Sequence, residues 1–159
     1  MNSQQFRILA VRPALQYIGL WSASAEELLM LTAAQESHLG EYLHQLGSGP
    51  AVGAFEMEPF THDDIWRSFL QGKANLATKV RDLAGYRWRT AAFPPASEAA
   101  GNLYYGCAMT RVFYLRCPGA LPDPHDVRGM AQYYKLHYNT PEGAATVDQA
   151  IDNYRRYVQ

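Results

Sequence analysis

The segment that most constrains this chain is an apolar helical stretch that ends in a carboxylic acid and is followed by a glycine-rich loop. Four residues share one side of the stretch at helical spacing: Leu28, Leu31, Thr32 and Gln35. Glu36 lies one turn beyond Thr32 and therefore shares this inward-facing side, and Gly40 is a suitable helix stop. Residues 47–60 then contain three glycines and two prolines, which predicts a loop with at most one short β-hairpin near residues 50–57.

An acid at the end of a buried helix has a defined chemical use. Apolar surroundings favour the neutral form of a carboxylic acid, which can donate a proton. An acid of this kind that faces a glycine-led turn is suited to general acid catalysis of glycosidic bond cleavage. The alternative is a structural one, in which Glu36 is only a helix-end acid that is hydrogen-bonded to a neighbouring Tyr or Arg.

The rest of the chain reads as mostly helical, so the predicted fold is all-α, with a single domain over residues 1–159. Ser24 and Thr146 each begin a pattern typical of a capping box, and Thr61 is expected to cap a further helix. The other helices are expected at residues 13–18, 76–88, 97–116 and 126–138.

Composition excludes several classes of function. The chain has 159 residues and a formal net charge of -1, so neither nucleic acid nor an anionic membrane surface is an expected partner. No apolar run is long enough to cross a membrane, and the start of the chain lacks the pattern of a secretory signal peptide.

Neither a metal site nor a cofactor is expected. Cys107 and Cys117 have no nearby partner at metal-ligand spacing. His62-Asp63-Asp64 fits a helix start better than it fits a metal site. If both cysteines lie on one helix they are too far apart to bond, whereas a helix that ends before Cys117 leaves a disulfide open.

Four short motifs occur in an order that resembles the lysozyme-like superfamily, in particular its soluble lytic transglycosylase and goose-type lysozyme branch. In that family a Glu-Ser pair ends a helix, a Gly-Leu-Met-Gln-x-x-Pro-x-Thr turn follows, the next helix begins with Asn-Leu or Asn-Ile, and an Ala-Tyr-Asn-x-Gly segment comes last. The matching segments here are Glu36-Ser37, Gly53 to Thr61, Asn102-Leu103 and Tyr138-Asn139 with Gly143.

The resemblance implies a lysozyme-like fold and an enzyme that cleaves the β-1,4 bond between the amino sugars of peptidoglycan, either as a lytic transglycosylase or as a lysozyme-type glycosidase. It implies that Glu36 is the general acid/base. It also implies that a peptidoglycan glycan strand binds at a set of nearby residues: Ser37, Gly53, Phe55, Glu56, Met57, Tyr138 and Asn139.

The chain departs from the family pattern at Glu56, where the family has Gln, and in the spacing after Tyr138. A second carboxylate could orient water and favour a hydrolase. The rival hypothesis is a phage virion or assembly protein that keeps the fold without turnover and has other virion proteins as partners. Without a signal peptide, the chain is expected in the cytoplasm of the producing cell and would reach the bacterial cell wall by another route, such as a phage particle.

Overall fold

The computed structural model describes residues 1–159, is about 62% helical and contains no sheet, which confirms the all-α prediction. The helices are α1 (Ser3–Phe6), α2 (Arg12–Ile18), α3 (Ala23–Ser37), α4 (Pro59–Asp64), α5 (Ala74–Asp82), α6 (Glu98–Gly101), α7 (Leu103–Leu115), α8 (Val127–Tyr134) and α9 (Val147–Tyr157). Wider π-helical turns follow α1, α4 and α8 at Arg7–Val11, Ile65–Phe69 and Lys135–Asn139, and single 3-10 turns lie at Leu70–Gly72 and Tyr86–Trp88.

Helix α3 is the central element, because ten of its fifteen residues are buried. Its observed cap lies two residues before the predicted one. The hydroxyl of Ser22, not that of Ser24, accepts a hydrogen bond from the backbone N–H of Ala25, at 3.1 Å. Glu27, the acid of the predicted capping box, instead accepts hydrogen bonds from Arg7 at 3.0 Å and from the hydroxyl of Tyr154 at 2.6 Å.

Other helix boundaries also differ from the expectations. Helix α4 begins at Pro59 with Glu58 as its cap, so Thr61 lies inside the helix and caps nothing. Proline is well suited to a first helical turn because its missing N–H has no partner there in any case. The stretch predicted as one helix over residues 97–116 is broken at Asn102, whose side chain accepts a hydrogen bond from the N–H of Tyr105 at 3.1 Å.

The C-terminal helices follow the sequence closely. Asp126 caps α8 through the N–H of Gly129. Thr146 and Gln149 form the predicted capping box of α9, with the hydroxyl and the amide oxygen each accepting a backbone N–H. Helix α9 packs along α3 and continues the same core.

Two groups of buried apolar side chains stabilise the fold. The larger surrounds α3 and includes Phe6, Leu28, Phe55, Tyr114 and Tyr134. The smaller lies between the π turn that follows α4, helix α5 and helix α7. Helix α7 contributes to both groups and joins them, so the loop of residues 50–57 and the end of α3 rest on a rigid support.

Both cysteines are free thiols: Cys107 is buried within α7 and Cys117 lies two residues beyond its end. None of the helices combines the length and the apolar character that a membrane span requires.

Candidate active site

Glu36 occupies the last turn of α3, and the residue after it anchors this turn to the loop. Ser37 is fully buried. Its hydroxyl donates a hydrogen bond to the carbonyl oxygen of Ala54 at 2.6 Å and accepts one from the N–H of Gly40 at 2.8 Å. These two bonds connect the end of α3 to residues 53–57 and set the position of the Glu36 backbone.

Residues 52–57 form a tight reversal beside Glu36. Val52 and Met57 exchange both backbone hydrogen bonds, at 3.1 and 3.0 Å, and Val52 also pairs with His44. The short hairpin predicted near residues 50–57 is thus reduced to these isolated pairings. Gly53 has φ +82°, and a Cβ at this position would lie 2.5 Å from the carbonyl oxygen of Ala99. Only glycine fits this left-handed position against α6 without strain.

The environment of Glu36 favours its protonated form. Its side chain is partly buried. The hydroxyl of Tyr134, on α8, donates a hydrogen bond to Oε1 of Glu36. Burial raises the pKa of Glu36 to about 7, the hydrogen bond from Tyr134 opposes this rise, and the negative charge of Glu56 adds to it. Near neutral pH a large fraction of Glu36 therefore keeps its proton.

Glu56 supplies a second carboxyl group beside the first. It is the one residue of the reversal with a left-handed φ, +43°, that is not glycine. Its Oε1 is buried and receives no hydrogen bond from the protein. Burial raises the pKa of Glu56, whereas the charge of His44 lowers it. The negative charge of Glu56 in turn raises the pKa of Glu36.

Tyr138 lies near Glu36 but does not form the hydrogen bond to it. Its hydroxyl donates to the carbonyl oxygen of Phe55 at 2.8 Å. Tyr134, one turn earlier, is the residue bonded to Glu36, and the two tyrosine rings stack with their centroids 6.0 Å apart. The sequence interpretation did not identify Tyr134, although its spacing of four residues from Tyr138 was a usable signal.

Two cavities meet at Glu36 and form a groove, here called the Glu36 groove. One, the Gln45 arm, has a volume of about 290 Å³ and is lined by residues that include Gln45, Glu58 and Tyr138. The other, the Asn153 arm, has a volume of about 540 Å³ and is lined by residues that include Tyr134, Asp152 and Asn153. Three residues line both arms: Glu36, Glu56 and Asn139. The acid thus lies at the middle of an elongated groove rather than at the end of a closed pocket.

The residues predicted to bind substrate divide into two sets. Glu56, Met57, Tyr138 and Asn139 line the groove. Ser37, Gly53 and Phe55 do not line it, because all three are buried. We correct their assignment from substrate contact to support of the groove wall: Ser37 bonds Ala54, Gly53 allows the turn, and the carbonyl of Phe55 holds Tyr138.

A larger cavity of about 600 Å³ lies elsewhere, between the N-terminal helix and the start of α7. Its carboxyl group, Glu98, accepts hydrogen bonds from the N–H of Gly85 and the side chain of Asn102, at 2.8 and 3.0 Å. Burial opposes the ionisation of Glu98, but its hydrogen bonds lower its pKa below the ordinary value. A satisfied, ionised carboxylate of this kind fits a structural role better than proton transfer.

Comparisons with known protein families, curated proteins and solved structures found no significant match to this chain. No group of three or more His, Cys, Asp or Glu side chains is arranged to hold a metal ion.

Proposed function

We propose that the protein is a glycosidase that cleaves the β-1,4 bond between the amino sugars of a peptidoglycan glycan strand, with Glu36 as the general acid/base. The observation that carries the proposal is the position of an acid with a pKa of about 7 at the middle of an elongated groove. A general acid works best when its pKa lies near the working pH, because it is then largely protonated and still acidic enough to donate its proton.

The polar groups around Glu36 suit both proton transfers. Tyr134 donates to Oε1, so in the neutral acid the proton is carried by Oε2, which donates it to the leaving oxygen as the glycosidic bond breaks. The carboxylate that forms is stabilised by the same tyrosine hydrogen bond. It then takes a proton from the nucleophile, which is either a hydroxyl of the substrate, giving an anhydro ring, or a water molecule, giving a reducing end.

Glu56 has a different role in this scheme. Its negative charge raises the pKa of Glu36, and it lines the groove on both sides of the acid. Its negative charge would stabilise the positive charge that develops on the sugar ring in an oxocarbenium-like transition state.

The test is digestion of purified peptidoglycan followed by mass analysis of the soluble products. Anhydro ends would identify a lytic transglycosylase, and reducing ends would identify a hydrolase. Glu36→Gln should abolish product formation. Glu41→Gln is the control, since Glu41 is an exposed acid near α3 that does not line the groove.

If the wild type and the Glu36→Gln variant both gave no products, catalysis would be rejected. Such a result would favour the rival proposal of a phage virion or assembly protein that lacks turnover.

A further inference from the structure

Carboxyl groups, and no lysine or arginine side chains, line the Glu36 groove. Four carboxyl groups line it: Glu36 and Glu56 at its centre, Glu58 in the Gln45 arm and Asp152 in the Asn153 arm. No lysine or arginine lines either arm. This contrasts with the whole chain, which has 14 basic and 15 acidic residues and is nearly neutral.

The basic groups close to the groove do not neutralise these carboxylates. Lys135, on the helix that carries Tyr138, donates to Asn139 Oδ1 at 2.9 Å and to the carbonyl of Gly143 at 2.7 Å. His38 lines the Asn153 arm, and His44 lies near Glu56. Glu58 and Asp152 are exposed, and no ion pair is formed by Glu56, Glu58 or Asp152.

The groove also contains hydrogen-bond acceptors that have no donor. Oε1 of Glu56 and Oε1 of Gln45 are both buried without a hydrogen-bond donor from the protein, and both residues line the Gln45 arm. Buried acceptors that lack a donor are unfavourable. A ligand that brings positive charge and N–H donors would relieve both the repulsion and the unsatisfied acceptors, and a primary ammonium has three donors and no acceptor.

We infer that the Glu36 groove prefers glycan strands that carry free primary amines over strands whose amines are acylated. The inference rests on the proposed function, because it names the substrate class of the same site. Two sources of the amine fit this chemistry: the 2-amino group of a de-N-acetylated sugar, and the free amine of a stem peptide.

The experiment uses one peptidoglycan preparation in three forms. The first is de-N-acetylated and freed of stem peptides, the second is N-acetylated and keeps stems with free amines, and the third is N-acetylated and stem-free. Initial rates of product release are measured at low and at high salt. An exposed charge interaction of about 1 kcal/mol corresponds to about a fivefold effect. We therefore expect the amine-bearing forms to be cleaved about fivefold faster than the third form at low salt, with the ratio falling towards one at high salt.

Two variants test whether the faster cleavage of amine-bearing strands depends on the carboxylates of the groove. The double variant Glu58→Gln, Asp152→Asn should lose most of the preference. Asp148→Asn is the matched control, because Asp148 lies on the same helix as Asp152, is 80% exposed in its side chain, and pairs with Arg128 outside the groove. Its preference ratio should equal that of the wild type.

Failure of this inference is separable from failure of the proposed function. Equal cleavage of all three forms by the wild type, with loss of cleavage in Glu36→Gln, would overturn the amine preference and leave the glycosidase intact. If none of the three forms were cleaved, co-sedimentation of the protein with each form would test the amine preference by binding alone. Salt-sensitive binding to amine-bearing strands alone would support the inference, and equal binding or none would overturn it.

Discussion

The hydroxyl of Tyr134 on α8 donates a hydrogen bond to Oε1 of Glu36 at the end of α3, across 98 residues of sequence. This bond stabilises the ionised form of Glu36 and holds its pKa below the value that burial alone would give. Tyr134→Phe keeps the ring and removes the bond. Because hydrogen bonds to charged groups contribute about 1.5 to 3 kcal/mol, the pKa of Glu36 should rise by about one unit or more.

In the pH profile of wall cleavage, this change should move the alkaline limb to higher pH, since that limb reports loss of the proton from Glu36. We expect a fall of about tenfold in the maximal rate as well, because the carboxylate that forms in the transition state loses a donor. Tyr133→Phe is a useful control, since the neighbouring hydroxyl has no hydrogen-bond partner. An unchanged alkaline limb in Tyr134→Phe would show that this bond does not tune the acid.

Glu56→Gln should move the alkaline limb of the pH profile to lower pH. The negative charge of Glu56 raises the pKa of Glu36, so its removal lowers that pKa and the acid loses its proton at lower pH. Cleavage should persist, with the alkaline limb moved down and a slower maximal rate if Glu56 stabilises the sugar cation. A profile and a product distribution identical to those of the wild type would mean that Glu56 takes no part in the chemistry.

Stability should depend on pH through Glu36. Its folded pKa, about 7, lies above the ordinary value of 4.5, so between these values the folded protein binds more protons than the unfolded chain. The contribution of Glu36 to the free energy of unfolding is therefore fully present below about pH 4.5 and is lost as the pH rises through 7.

Glu36→Gln removes this dependence. Relative to the wild type, the variant should gain stability on the order of 2 kcal/mol between pH 4.5 and pH 8, as measured by urea unfolding at both pH values. If the free energies of unfolding of the variant and the wild type differ by the same amount at both pH values, the pKa of Glu36 is not raised in the folded state.

The turn at Gly53 should tolerate no side chain. Gly53 and Gly47 have similar left-handed φ values, +82° and +87°, but only a Cβ at Gly53 would meet other atoms within 4 Å. Gly47→Ala should therefore lower the free energy of unfolding by about 1 kcal/mol, from backbone strain alone. Gly53→Ala should lower it by about 3 kcal/mol, because the clash with Ala99 adds to the strain. Thermal unfolding of the two variants measures the difference, and equal losses would contradict the close approach of the turn to α6.

The sequence by itself determined the local features of this protein. The helical spacing of apolar residues before Glu36 placed the acid on the inward side of a helix, and the glycines after it predicted a reversal beside that helix. The capping box at Thr146 was equally readable, because both of its hydrogen bonds join residues three positions apart. Signals of this kind depend on neighbours along the chain, so they survive without knowledge of the fold.

The tertiary structure alone decided which groups reach Glu36. Helix α8 widens into a π turn at Lys135–Asn139, and a wider turn advances the side chains by a smaller angle per residue. Packing of α8 against α3 brings the hydroxyl of Tyr134 to Glu36, while Tyr138 bonds to Phe55. Ser37 is turned into the core by its bond to Ala54, and Ser22 rather than Ser24 caps α3, while the predicted capping-box acid Glu27 bonds to Arg7 and Tyr154. Each outcome rests on contacts between groups brought together by packing, whose geometry the local pattern of residues does not specify.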